Sequence, residues 1–190
     1  MLTTIFAYLL IALFSVSERR LRKGQQAQTF DAGVFDRHST RRLGIAYGIA
    51  IISLLFAPIL NYLSIGHILY TLAGWVGLAI TLGGITLRVW ANLILGEFYT
   101  RPLRVLANQS VVQRGPYRLI RHPGYLGTIV MWAGAGLAAA NWIVILIVLV
   151  TMSIAYHYRI QAEETMLLDR LGQQYADYKA RTWKLLPFVY

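Results

Sequence analysis

His122, Tyr125, Arg159 and Glu163 are side chains suited to holding a charged small molecule, and they fall in two short polar stretches of an otherwise apolar chain. The first is "RGPYRLIRHPGYLG", residues 114–127. Gly115-Pro116 signals a turn. His122 precedes Pro123, which biases it to extended backbone and away from helix. Pro123 itself suits the first turn of a helix, where a missing N–H costs nothing. His122 is therefore expected at the mouth of a helix, beside free N–H groups that favour an anion such as a carboxylate or phosphate.

The second stretch is "YHYRIQAEETMLLDRLG", residues 156–172. On a continuous helix Arg159 and Glu163 stand at i and i+4 and share one face. Tyr156 lies close to that face, one turn earlier. Leu167, Leu168 and Leu171 form an apolar stripe, and Gly172 suits the C-terminal stop. Neighbouring helix positions point about 100° apart, so Glu163 and Glu164 are not expected to serve one small site. Glu163, aligned with Arg159, is expected to meet the ligand and Glu164 to meet solvent. Each residue also has a plain structural use. Arg118 and Arg121 suit headgroup contacts, Tyr117 and Tyr125 suit an interfacial belt, and Arg159–Glu163 suits a surface ion pair. Arg88 and Asn92, also i and i+4, either snorkel to the interface or line a cavity in the bundle.

The elements that must position these groups are membrane helices. The chain of 190 residues is 57% hydrophobic and 14% charged, and residues 127–158 contain no Lys, Arg, Asp or Glu. A span needs about 20 apolar residues. Residues 2–17, 43–63 and 67–95 supply three candidates, with Pro58 expected to kink the second or begin its exit. Residues 124–158 read as a tight hairpin of two helices of about 16–18 residues each, broken at "AAANW", where Asn141 and Trp142 suit an interface. Small residues recur at spacing four, Ala73 with Gly77 and Ala79 with Gly83, followed later by Gly134, Gly136 and Ala140; such positions let helices approach closely in lipid.

The expected fold is an all-α integral membrane helical bundle of about five transmembrane helices with a C-terminal cytoplasmic helical extension. It is read as a single membrane domain, with two N-terminal spans in residues 1–66 and a core carrying the motifs in 67–190. Of the 18 Lys and Arg, seven lie in residues 18–42, five in 96–123 and five in 159–190. The connections at 61–67 and 139–142 hold none. The positive-inside rule then puts the three basic segments in the cytoplasm and the N-terminus outside, with the first helix retained.

The net charge of +10 is spread between apolar runs, which favours anionic lipid headgroups over nucleic acid as its partner. The absence of cysteine excludes disulfides and thiolate chemistry. His38, His67, His122 and His157 show no ligand spacing, so no metal is expected. Nucleophile-elbow, zincin, P-loop and Rossmann patterns are all missing.

The segments "GPYRLIRHPGYLG" and "RIQAEETMLLDRLGQQYADYKARTWKLLPF", with "LRVWANLILGEFYT" before them, resemble the isoprenylcysteine carboxyl methyltransferase family and its prokaryotic relatives. The resemblance covers about residues 83–188 and leaves the first two spans out. It implies an integral membrane enzyme that transfers methyl from S-adenosyl-L-methionine (AdoMet) to a lipophilic or lipidated acceptor, most directly the carboxylate of an isoprenylcysteine-like substrate. It implies cofactor contacts at Tyr117, His122, Pro123, Gly124, Tyr125 and Glu163. A further cofactor stretch falls at Gln109, Ser110, Val111 and Val112, where Gln109 departs from the His of some relatives. Arg159 matches an arginine assigned to substrate, and Arg88 is a second candidate for that role. Chemically the transfer is an in-line displacement needing alignment and exclusion of water rather than a metal. His122 at the helix mouth is expected to hold the cofactor's carboxylate, and Arg159 the acceptor carboxylate through charge-assisted hydrogen bonds. Two other functions share these features: an NADPH-dependent isoprenoid or sterol reductase, and a non-catalytic membrane scaffold whose polar clusters anchor headgroups.

Overall fold

The computed structural model describes residues 2–21, 35–36, 38–98 and 110–189. The apolar runs form helices: α1 (Leu2–Leu21), α2 (Ser39–Tyr62), α3 (Thr71–Leu95), α4 (Pro123–Ala138), α5 (Trp142–Leu171) and a short α6 (Gln173–Ala180). Among the described residues there is no strand, only isolated bridges at His67–Asn141 and Ile120–Trp183. α2, α3 and α5 are long and apolar enough to cross a bilayer, with mean hydropathy of 2.3, 1.6 and 1.9. Leu55, Leu72, Leu93, Leu146 and Ile154 project outward from them, each about half exposed or more. In water such a surface would aggregate; facing lipid tails it needs no cover. The chain is an integral membrane protein.

α3 and α4 run antiparallel at backbone contact. A Cβ on Gly77 would lie 2.2 Å from Ala138 N, on Gly84 2.3 Å from Met131 N, on Gly127 2.8 Å from Arg88 N, and on Gly134 2.5 Å from Thr81 N. Glycines on both helices thus form one seam, and every step of it depends on a missing side chain. The small-residue expectation is half right. Gly77 and Gly134 are in the seam, but Ala79 and Gly83 are exposed, with nothing near Gly83. The period of 3.6 turns those two away from α4 and brings Gly84 in. Gly136 packs instead against Ile145 of α5, and Ala140 lies in the turn between α4 and α5 at φ 55°.

The hairpin is present. α4 has 16 residues, the break falls at 139–141, and α5 begins at Trp142. Asn141 is fully buried, and its side chain bonds four groups at once. Its Oδ1 caps α5 by accepting from Ile143 N (3.1 Å) and Val144 N (3.2 Å). Its Nδ2 donates to Asn61 Oδ1 (2.7 Å) and to the Ile65 carbonyl (2.8 Å). The α2–α3 connection is stitched to this turn by Ile68 N to Ala140 O (2.8 Å) and Trp142 N to Gly66 O (3.0 Å). Asn141→Ala removes a cap worth ~1 kcal/mol and leaves buried partners unpaired at ~1–3 kcal/mol, so a loss of about 2–4 kcal/mol is expected in detergent unfolding.

One boundary differs from expectation. α2 begins at Ser39 rather than 43, because Asp36 caps it from upstream with Thr40 N to Asp36 Oδ1 at 3.2 Å. Pro58 stands inside α2, which continues to Tyr62, so the helix does not exit there. α5 runs 30 residues, well beyond its apolar part, and ends as expected at Gly172, which turns at φ 52°. Those last turns carry Arg159, Glu163 and Glu164.

Candidate active site

The site is built where the residues before α4 meet the polar end of α5. Gly115, at φ 56°, starts a 3₁₀ turn over Gly115–Arg118, Ile120 bridges to Trp183, and His122 (φ −125°, ψ 55°) caps α4, which Pro123 opens. The C-terminal segment backs this run: Trp183 N donates to Leu119 O (3.0 Å), Arg121 N to Trp183 O (2.8 Å) and His122 N to Lys184 O (3.2 Å). Tyr178 Oη adds a bond to Tyr117 O at 2.8 Å.

His122 is 5% exposed, and both ring nitrogens face carboxylates. Nε2 lies 3.2 Å from Glu164 Oε1 and Nδ1 lies 3.8 Å from Glu163 Oε2. The imidazole stands between the two glutamates, so neighbours on one helix serve the same ring. This corrects the expectation that Glu164 meets solvent. Its side chain is 7% exposed against 25% for Glu163. Glu164 Oε1 also accepts from Arg121 Nε at 2.8 Å, and its Oε2 lies 3.2 Å from Lys179 Nζ. Arg121, read as a headgroup contact, is instead buried, and its Nη1 donates to the carbonyls of Lys179 (3.1 Å) and Thr182. Arg118 is exposed.

His122 is also a poor holder for an incoming anion. Two carboxylates already flank the ring, and its own carbonyl takes the amides of Tyr125 and Leu126 at 3.1 Å each. What the cluster offers is negative charge on a half-open Glu163. Tyr125 Oη donates to Glu163 Oε2 at 2.5 Å. The Tyr125 ring stacks on His122 (centroids 5.4 Å, 2° apart) and on Tyr156 (4.7 Å, 29°). Buried Tyr117 belongs to the same neighbourhood; burial first, then the Glu163 charge, pushes its phenol well above the ordinary value. Aromatic faces beside a carboxylate suit a cation.

Arg159 is buried, and its Nη1 donates to Asp36 Oδ1 (3.0 Å), Ser39 Oγ (3.1 Å) and Thr40 Oγ1 (3.2 Å). Burial alone would raise the Asp36 pKa. The hydroxyls of Ser39 and Thr40, the Thr40 amide and the Arg159 charge outweigh that and lower it. Arg159 is therefore a buried arginine anchored on the start of α2, which excludes the plain structural alternative of an exposed surface pair. Arg88, 6% exposed, donates through Nη1 to the Gly124 carbonyl (3.1 Å) and to Thr128 Oγ1 (2.6 Å), and is bonded to Glu18 of α1 through Nε (2.8 Å) and Nη2. It ties the first turn of α4 to α1 and α3. Pro123 and Gly124 are buried at the same turn. Ser110 is exposed, Val111 and Val112 are half-buried, and Gln109 lies outside the described residues. Among the described residues none of the cluster's hydrogen bonds or ion pairs involves these three.

Glu18, Asp36, Arg121, Glu164 and Lys179 are the groups that sequence reasoning missed as parts of this site. Burial marks Asp36, Arg121 and Glu164, but no local spacing marks any of the five, since partners lie up to 123 positions apart.

Comparison with known proteins gives a consistent result. A model of the isoprenylcysteine carboxyl methyltransferase (ICMT) family matches residues 75–169. A probable protein-S-isoprenylcysteine O-methyltransferase of Oryza sativa subsp. indica is 27% identical over 122 residues, 63% of this chain and 64% of that protein. The protein-S-isoprenylcysteine O-methyltransferase of Tribolium castaneum is 29% identical over 116 residues, 60% of this chain and 41% of that one. The solved structure of the eukaryotic intramembrane Ras methyltransferase ICMT aligns with a TM-score of 0.61 at 25% identity, covering 97% of this chain and 63% of that chain. The chain thus spans less than two thirds of the length of these relatives. The matched half of its sequence contains His122, Tyr125, Arg159, Glu163 and Glu164, and the chain belongs to the isoprenylcysteine carboxyl methyltransferase family.

Proposed function

We propose that the chain transfers a methyl group from AdoMet to the carboxylate of a lipophilic, isoprenylcysteine-like acceptor. The observation that carries this reading is the half-open Glu163 carboxylate beside the stacked His122 and Tyr125 rings, inside the segment matched by the family. These residues fit the cofactor, whose amine and sulfonium are cationic. When bound, AdoMet supplies a methyl on a sulfonium for in-line displacement. Glu163 takes the cationic amine, while Tyr117, His122, Pro123, Gly124 and Tyr125 wall the pocket. His122 and Glu164 hold Glu163 and the turn before α4 in place. Arg159, fixed at Nη1 by Asp36, presents its guanidinium to the acceptor carboxylate, and Arg88 holds α4 where the acceptor enters.

In this reading α1 to α5 all cross the bilayer, α6 and the C-terminal segment extend into the cytoplasm, and residues 67–190 are the catalytic core. Basic residues around 18–42, 96–123 and 159–190 support a cytoplasmic site and an outside N-terminus. An apolar acceptor then enters sideways from the membrane, and water is excluded by the surrounding helices.

The test is transfer of labelled methyl from AdoMet to N-acetyl-S-farnesylcysteine by the purified chain in lipid nanodiscs. A base-labile methyl ester is expected in the wild type. In folded Glu163→Gln, kcat/KM for AdoMet should fall by about 100-fold, as removal of one charged contact implies. Folded protein that binds neither AdoMet nor its demethylated product would sink the reading. NADPH binding in its place would support a reductase.

A further inference from the structure

Among the described residues two buried side-chain donors have no hydrogen-bond partner, Trp132 Nε1 and Asn92 Nδ2, and Asn92 is the one that lies beside the candidate site. It lies on α3 one turn beyond Arg88 and is 5% exposed, yet its Nδ2 has no hydrogen-bond partner. Buried amide donors are nearly always paired, so an orphan marks a place where something else binds. Its location makes that something specific. A Cβ on Gly124 would stand 3.5 Å from Asn92 Oδ1 and 3.8 Å from Ala91 Cβ, so the Asn92 amide abuts the first turn of α4. Gly124 separates His122-Pro123 from Tyr125, the residues of the pocket.

The two sides of that turn differ in charge. Toward α5 stand the carboxylates of Glu163 and Glu164 with His122 between them. Toward α3 stand Arg88 Nη1, 3.1 Å from the Gly124 carbonyl, and the Asn92 amide, whose Oδ1 is the atom nearest Gly124 and whose Nδ2 is unpaired. A zwitterion laid across the turn would set its cation against α5 and its anion against α3. The methionyl end of AdoMet is such a zwitterion. Resting on the methyl-donor reading above, we propose that Asn92 Nδ2 donates to the carboxylate of the bound cofactor, the role that His122, flanked by two carboxylates, is unsuited to fill.

The experiment is calorimetric titration of the detergent-purified full chain with S-adenosylhomocysteine and, separately, with 5′-methylthioadenosine, which lacks the amino-acid end. The variants are Asn92→Asp, which places a like charge at the donor, and Asn92→Leu, which removes the donor and keeps the branch at Cγ. Both should weaken S-adenosylhomocysteine by about tenfold or more and leave methylthioadenosine within about twofold. Because the fold does not use the Nδ2 donor, Asn92→Leu should keep or raise the unfolding temperature of the ligand-free protein. That second readout tests the orphan independently of any ligand. Unchanged S-adenosylhomocysteine affinity, equal loss of both ligands, or a large drop in ligand-free stability of Asn92→Leu would overturn the assignment. A wild type that binds neither nucleoside would instead overturn the methyl-donor reading on which it rests.

Discussion

Glu164→Ala is expected to destabilise the folded chain by about 3–5 kcal/mol, the cost of leaving buried charges without their partner. Its carboxylate is the meeting point of three separate parts of the chain. Arg121 comes from the run before α4, His122 from the mouth of α4, and Lys179 from α6. Without it, the Arg121 guanidinium stays buried against the Lys179 and Thr182 carbonyls with no counter-charge. The C-terminal segment then loses its grip on the turn that positions His122. Glu163 is the internal control. It is more exposed, it accepts from Tyr125 Oη, a hydroxyl that water can satisfy, and it stands farther from the imidazole, 3.8 Å from His122 Nδ1. Glu163→Ala should therefore cost only about 1 kcal/mol while removing the pocket's open carboxylate. Denaturation of both variants in detergent separates the two carboxylates. Equal losses would mean that Glu164 has no special structural part, and the division between a structural and a ligand-facing glutamate would fall.

The helices were legible in the sequence and much of their wiring was not. Span positions follow from unbroken apolar length, and the hairpin break at Asn141 follows from one polar residue in a long apolar run. His122, Tyr125 and Glu163 were legible as site candidates because Pro, Gly and the i, i+4 spacing act locally. The partners of the buried charges act across the fold. Asp36 meets Arg159 and Glu18 meets Arg88 only because α1 and the start of α2 are packed against the core, and no local spacing encodes that. Glu163 and Glu164, as helix neighbours, point apart, yet both reach the same ring. A histidine ring has two nitrogens on different sides, so one imidazole bridges two carboxylates that point apart. Local geometry could not reveal that the ring would stand between them.

The glycine seam was partly readable, and its register yields the second large effect. Gly77 and Gly84 on α3 are seven residues apart, as are Gly127 and Gly134 on α4. Seven residues is close to two helical turns, so each pair shares one face. Gly84→Ala would put a methyl 2.3 Å from Met131 N and 2.7 Å from Gly127 O. Both obstacles are backbone, which cannot rotate aside as a side chain does, and relief requires α3 and α4 to separate along their length. Overpacking commonly costs ~1–3 kcal/mol, and this contact is expected at or above the upper end of that range. Separation also breaks the Arg88–Gly124 bond and moves Asn92 away from the first turn of α4, so ligand binding should fail together with stability. Gly83→Ala is the matched control, one position away on the same helix. Nothing lies within 4 Å of its added methyl, and replacing glycine with alanine inside a helix gains up to ~1 kcal/mol. Unfolding temperatures in one detergent should therefore move in opposite directions for the two variants. If both shift alike, close approach at the seam is not what joins α3 to α4, and the geometry of the pocket must be maintained by the α5 and C-terminal contacts alone.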